Sequence, residues 1–207
     1  MTDATDLSAD QALIARWIKP GTRVIDLGCG DGVLLAFLQE TLDVSGYGLE
    51  IDSDNVVSCI TRGVNVIQTD IEAGLLHFDR DAFDYVIMTQ TIQATRYPDR
   101  LLAEILRIGR EGIVTFPNMG NWKARLQFLA GRMPVTRYLP DEWYNTPNLH
   151  LCSFRDFDSL CEDMKIEVLQ RAAVDYAHRA DISMRFLPNL LGEVALYRVR
   201  QSTTPQR

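Results

Sequence analysis

The chain has 207 residues, 46% hydrophobic and 24% charged, an ordinary balance for a globular protein with one well-filled core. A formal net charge of −7 argues against a protein that draws its affinity from nucleic-acid phosphates through clustered Lys and Arg. With no apolar stretch long enough to span a membrane, and with an acidic start, MTDATDLSADQ, unlike a signal peptide, a cytoplasmic protein is expected.

In chain order, LSADQALIARWIKPG predicts a helix, because Leu13, Ile14, Trp17 and Ile18 recur at helical spacing between a Ser/Asp start and a Pro20-Gly21 stop. TRVIDL reads as a strand, GCGDG as a turn, and VLLAFLQETL as a helix with Leu34, Leu35, Leu38 and Leu42 on one face. VSGYGLEI, VNVIQTDI, FDYVIMTQ and EGIVTFPN read as further strands. Helices are expected between them through SDNVVSCITRG and PDRLLAEILRIG. Then come a helix in NWKARLQFLAG, a Pro- and aromatic-rich stretch RMPVTRYLPDEWYNTPN, and a helix around SFRDFDSLCEDM. The strands IEVLQRAAVDYA and EVALYRVRQ follow.

Alternating strands and helices imply parallel pairing with helices on both faces. Five parallel strands and two at the C-terminus, the last antiparallel, make an α/β doubly wound sheet of seven strands, with ligand expected at its switch point. A single domain over 1–207 is expected, with 1–10 and 202–207 flexible and 117–150 forming an inserted helix and loop cap. The four cysteines, at 29, 59, 152 and 161, have neither the spacing of a zinc site nor a disulfide framework, and read as reduced, mostly buried thiols.

The stretch VIDLGCGDG, Val24 to Gly32, carries the chemistry. A dinucleotide fold spaces its glycines as GxGxxG, whereas Gly28, Gly30 and Gly32 give GxGxG with Val33 where a third glycine belongs. Asp26 would repel a pyrophosphate, but it suits a cationic ligand end such as the ammonium and sulfonium of S-adenosylmethionine. Glu50, closing the second strand, stands about 20 residues beyond the turn, where a carboxylate accepts ribose hydroxyls.

These residues resemble the first motif of class I S-adenosylmethionine-dependent methyltransferases, which implies their Rossmann-like fold and a site for S-adenosyl-L-methionine or S-adenosyl-L-homocysteine. Carried onto this sequence, the resemblance implies cofactor-binding roles for Asp26, Gly28, Cys29, Gly30, Asp31, Gly32, Glu50, Ile51, Asp70, Ile71, Thr89 and Gln90. Plainer readings stand beside it. The glycines serve a tight turn, Asp70 caps a helix, and the polar run Thr89 to Thr91 is loop chemistry. If methyl transfer occurs to a hydroxyl or ammonium, His150 in NLHLCSF is the candidate base, the alternative being a histidine satisfied by a backbone carbonyl. His77 and His178 carry no assigned role, and TQTIQ after the fourth strand lacks the Pro-Pro-Tyr signature of enzymes that methylate nucleic-acid amino groups.

From Phe116 to Cys161, and in QTIQATRYPDRLLAEILRIGREGIVTFPN, the chain is similar to the methionine biosynthesis protein family MetW, a likeness running from about residue 12 to 200. The resemblance implies a companion or activator of homoserine O-acetyltransferase (MetX), with 117–150 as the contact segment. Trp122, Tyr138, Trp143 and Tyr144, with Arg132 and Arg137, have the composition of an interface core, and equally of a lid or of packing under a long loop. Two functions therefore stand side by side: a ligand-holding regulatory companion, and an active methyltransferase on a small metabolite or partner side chain.

Overall fold

The computed structural model describes residues 7–136, 138–146, 150–175 and 187–202. Helix α1 (Ala9–Trp17) starts at Ser8, whose backbone N–H donates to the Gln11 side chain while its hydroxyl donates to Asp10. Strand β1 (Arg23–Leu27) leads through the glycine turn into α2 (Val33–Leu42), β2 (Ser45–Glu50), α3 (Ser53–Thr61) and β3 (Val66–Gln68). After the short α4 (Ile71–Gly74) come β4 (Phe83–Thr89), α5 (Pro98–Ile108) and β5 (Gly109–Pro117). The last part holds α6 (Trp122–Leu129), α7 (Phe154–Asp163), β6 (Ile166–Val174), α8 (Pro188–Leu191) and β7 (Val194–Gln201).

The seven strands form one sheet in the order β3-β2-β1-β4-β5-β7-β6. The first five pair parallel and β7 runs antiparallel to both neighbours, which bears out the expected architecture. Because side chains alternate across a strand, β4 sends Val86 and Met88 into one core layer and Tyr85 and Ile87 into the other. The first layer is closed by Leu101, Leu102 and Ile105 of α5 and Phe154 and Phe157 of α7; the second by Ile14 of α1 and Leu34, Leu35 and Leu38 of α2. Burying both faces explains why the parallel strands read as nearly continuous apolar runs.

The sequence extends β3 to Ile71, but the strand ends at Gln68 and Asp70 already caps α4, its Oδ1 accepting from the Glu72 N–H at 2.9 Å. The expected flexible start reaches into α1 at Ala9 and at Asp10, which is buried. Ser202 donates its N–H to the Lys165 carbonyl at 3.3 Å. Residues 1–6 and 203–207, Arg137, 147–149 and the end of the expected strand at 176–177, with His178, lie outside the described residues. All four cysteines are free, three buried and Cys152 half-buried.

Candidate functional site

Strand order reverses between β1 and β4, since β1 continues to β2 and β3 on one side while β4 and β5 build the other. The crevice expected at such a switch point is present. A cleft of about 530 Å³ is lined by Gly28 after β1, by Glu50 and Ile51 at the end of β2, by Asp70, Ile71 and Glu72 after β3, and by Thr91, Ala94, Thr95 and Arg96 after β4. Three carboxylates against one guanidinium give this lining a negative balance, which favours a cationic ligand.

Asp26 sits on β1 two residues before Gly28 and is only 1% exposed. Its Oδ1 is buried without a hydrogen-bond partner. Burial, with the charge of Glu50 adding to it, pushes the carboxyl up to about 7. An orphaned buried acceptor of this kind costs stability unless something supplies a donor.

Glu50 accepts three backbone hydrogen bonds, which leaves acceptor capacity on Oε2. Its Oε2 accepts from the Gly30 N–H at 2.9 Å, and its Oε1 accepts from the N–H groups of Ile51 at 2.8 Å and Asp52 at 2.9 Å. The carboxylate therefore pins the glycine turn to the end of β2. The turn needs glycine at Gly28, where φ is +70° and an added Cβ would stand 2.9 Å from Thr91 Oγ1. At Gly30, φ is +55° and a Cβ would meet nothing within 4 Å.

The structure brings Gly28, Glu50, Ile51, Asp70 and Ile71 to the cleft; Asp26 is buried, does not line it, and feels the charge of Glu50, which does. The other residues singled out from the sequence face elsewhere. Asp31 pairs with Arg62 at 2.9 Å, Gly32 is the N-cap of α2, and Cys29 packs against Cys59 of α3. Thr89 accepts through its carbonyl from the Thr91 hydroxyl at 2.8 Å. Gln90 adopts φ +49° and donates from Nε2 to Asp10 Oδ2 at 2.9 Å, so it reaches α1 instead of the cleft. His150 is exposed and is not among the residues lining the cleft; its backbone N–H donates to the Gln93 carbonyl at 3.0 Å.

Sequence reasoning missed Glu72, Ala94, Thr95, Arg96 and Asp10. Only the capping pattern Asp70–Ile71–Glu72 carried a local signal, and Arg96 comes into place because its N–H donates to Glu72 Oε1 at 2.7 Å.

A second cavity of about 390 Å³ opens past the end of β5, between α6 and the stretch after it, and is lined in part by Asn118, Lys123, Thr136 and Tyr138. Here the expected cap is a short helix over a small cluster, Met119, Ala124 and Leu139. Trp122, Leu126, Phe128 and Leu129 of α6 are exposed, as are Met133, Trp143 and Tyr144 beyond it. These seven side chains give the segment an outward apolar and aromatic character.

Comparison with known proteins follows the same lines. The family model for the methionine biosynthesis protein MetW matches residues 8–199. A bifunctional methionine biosynthesis protein MetXA/MetW of Rhodopirellula baltica is 32% identical over 200 residues, taking in 92% of this chain and 32% of that protein, so the chain spans about a third of its relative's length. Among solved structures, the complex of the Haloferax volcanii Trm112 methyltransferase activator with a methyltransferase superposes with a TM-score of 0.68 at 16% identity, covering 96% of this chain and 91% of that one. A SAM-dependent methyltransferase from Archaeoglobus fulgidus gives 0.64 at 17% identity, over 94% and 95% of the two chains. At such identities the likeness is one of fold.

Proposed function

The chain belongs to the MetW family of methionine biosynthesis proteins, and from that premise we propose that it binds S-adenosylmethionine in the cleft and serves as companion and activator of homoserine O-acetyltransferase (MetX). The residues present suit that ligand. Asp26, with its unpartnered Oδ1, would hold the ammonium; Glu50 would take the ribose hydroxyls; Asp70 and Ile71 would flank the adenine. The turn from Gly28 to Gly32 would run along the ligand and Ile51 would border it, while the side chains of Cys29, Asp31 and Gln90 are engaged elsewhere. Bound S-adenosylmethionine would supply an electrophilic methyl group, and S-adenosylhomocysteine would occupy the same cleft without one.

The observation that carries the partner reading is the Rhodopirellula baltica relative, in which MetXA and MetW are joined in one protein. Fusion keeps two modules at a high effective concentration, which matters when they work in contact. The exposed aromatic and aliphatic residues of 117–150 supply a surface of the right character for that contact. In this reading the ligand biases the complex by binding one of its states more tightly than another. The protein would act in the cytoplasm, without a membrane or nucleic-acid partner.

A second reading, methyl transfer to a small metabolite or a partner side chain, draws on the 390 Å³ cavity at the end of β5 as acceptor space; His150, the base expected for it, does not line that cavity. Homoserine acetylation by MetX with and without this chain, across a titration of S-adenosylmethionine, separates the two while S-adenosylhomocysteine is followed by mass spectrometry. Activation without turnover supports the companion; turnover that needs an added acceptor and leaves acetylation unchanged supports the enzyme.

A further inference from the structure

Cys29 of the glycine turn and Cys59 of α3 place their sulfurs 3.7 Å apart, and both are free thiols. They are 30 residues apart in sequence and meet because α3 packs under the turn. Between them lies the carbonyl of Gly30, which accepts from Cys59 Sγ at 3.2 Å and from Cys29 Sγ at 3.8 Å. The same residue donates its N–H to Glu50 Oε2 at 2.9 Å. Gly30 is therefore held on its carbonyl side by two thiols and on its amide side by the carboxylate assigned to the ligand's hydroxyls.

We propose that Cys29 and Cys59 form a thiol modification site, closed to a disulfide by a low-molecular-weight disulfide such as glutathione disulfide, and that closure weakens ligand binding in the adjoining cleft. The second clause rests on the function proposed above; the first does not. In the first step a Cys29 thiolate attacks glutathione disulfide and expels one glutathione thiolate. The Cys59 thiolate then attacks the mixed disulfide at Cys29 Sγ and expels the second. The two cysteines are oxidised, one glutathione disulfide is reduced to two glutathione thiols, and the cysteine protons pass to solvent and the leaving thiolates.

A disulfide requires the sulfurs to approach to about 2.05 Å. That approach replaces the Cys59 thiol hydrogen bond to Gly30 and draws the turn toward α3, away from the position in which Gly30 meets Glu50. Reaction starts at Cys29, which is 9% exposed where Cys59 is fully buried. Burial raises both thiols above their ordinary range, so exchange is slow at neutral pH and accelerates as pH rises.

The test uses the full chain and glutathione disulfide at pH 7 and pH 8.5. Peptide mapping is expected to recover a Cys29–Cys59 cross-link that dithiothreitol reverses, with no cross-link at Cys152 or Cys161. Exhaustive oxidation that yields only glutathione adducts, or links involving Cys152 or Cys161, overturns the site. Calorimetry with S-adenosylmethionine is then expected to show about tenfold weaker binding for the oxidised protein, and equal affinity in the two forms overturns the gating. A Cys59→Ser variant is expected to bind like the wild type before oxidant and, lacking the resolving thiol, to stop at a Cys29 glutathione adduct with no internal cross-link after it. Wild-type mapping and calorimetry decide the question by themselves if that variant does not fold. If reduced protein fails to bind the ligand, the proposed function fails while the cross-link result stands.

Discussion

Gln90 Nε2 donates to Asp10 Oδ2 at 2.9 Å across 80 residues of sequence, fastening α1 to the loop that walls the cleft after β4. Gln90 pays for this position with a left-handed backbone, φ +49°, stabilised by its N–H donating to the Thr115 carbonyl and hydroxyl, each at 3.0 Å. Asp10 is almost fully buried, so Asp10→Ala leaves the Gln90 amide without its partner and is expected to cost about 1–3 kcal/mol. Thermal melts measure that loss. Calorimetry is expected to show weaker S-adenosylmethionine binding as well, because Thr91, Ala94 and Thr95 follow on the same loop.

The raised carboxyl of Asp26 makes the ligand-free protein sensitive to pH. Its folded value of about 7 lies above the ordinary 3.8, so between those values the folded state keeps a proton that the unfolded chain has released. Stability from this group is complete below about pH 4 and is lost as pH rises through about 7, a penalty on the order of 4 kcal/mol. Denaturant unfolding at pH 5 and pH 8 is expected to show that slope in the wild type and to lack it in Asp26→Asn. An unaltered slope in the variant assigns the effect to other groups.

Ligand binding reads the same group from the other side. A cationic ligand facing Asp26 favours the ionised carboxylate, so affinity is expected to rise with pH up to about 7 and then level off. Isothermal titrations at pH 6 and 8 measure it. In Asp26→Ala and in Glu50→Ala, binding is expected to fall below detection while circular dichroism remains native. Glu50→Ala also releases three backbone N–H groups and is expected to lose about 1–3 kcal/mol of stability.

Two glycines of the turn should respond differently to alanine. Both hold positive φ, so each substitution costs on the order of 1 kcal/mol in strain. Gly28→Ala adds a clash with Thr91 and is expected to lower the melting temperature more than Gly30→Ala, whose Cβ has open space. Equal losses in differential scanning calorimetry would mean that Thr91 yields without cost.

On the cap, Leu129→Glu and Trp143→Ala change side chains that are 83% and 71% exposed. Unfolding free energies are expected to move by less than about 0.5 kcal/mol. Stimulation of homoserine acetylation by MetX is expected to be lost, and retained stimulation would remove these residues from the contact surface.

Local patterns carried most of the architecture. The helix expected at VLLAFLQETL is α2 residue for residue, since its leucines repeat at one period and the glycine turn fixes its start. β3 came out shorter because it lies at the sheet edge, paired only with β2, and gives way to a capped helix at Asp70. For that aspartate the two readings coexist: it caps α4 through Oδ1 and also lines the cleft. Residues set on strand ends by a motif, Gly28, Glu50 and Asp70, were legible for that reason. Asp10, Thr95 and Arg96 were not, because their places depend on a left-handed Gln90, a 3-10 turn at Ile92–Ala94 and a bond from Glu72. No residue type in TQTIQ announces such a loop.

The loop after β4 meets the returning end of the cap at His150 N–H to the Gln93 carbonyl, and meets β5, two residues before the cap begins at Pro117, at Gln90 N–H to the Thr115 carbonyl. These are main-chain bonds, indifferent to which side chains the cap displays. Substitutions on the outward face of 117–150 therefore leave its main-chain connection to the cleft loop in place.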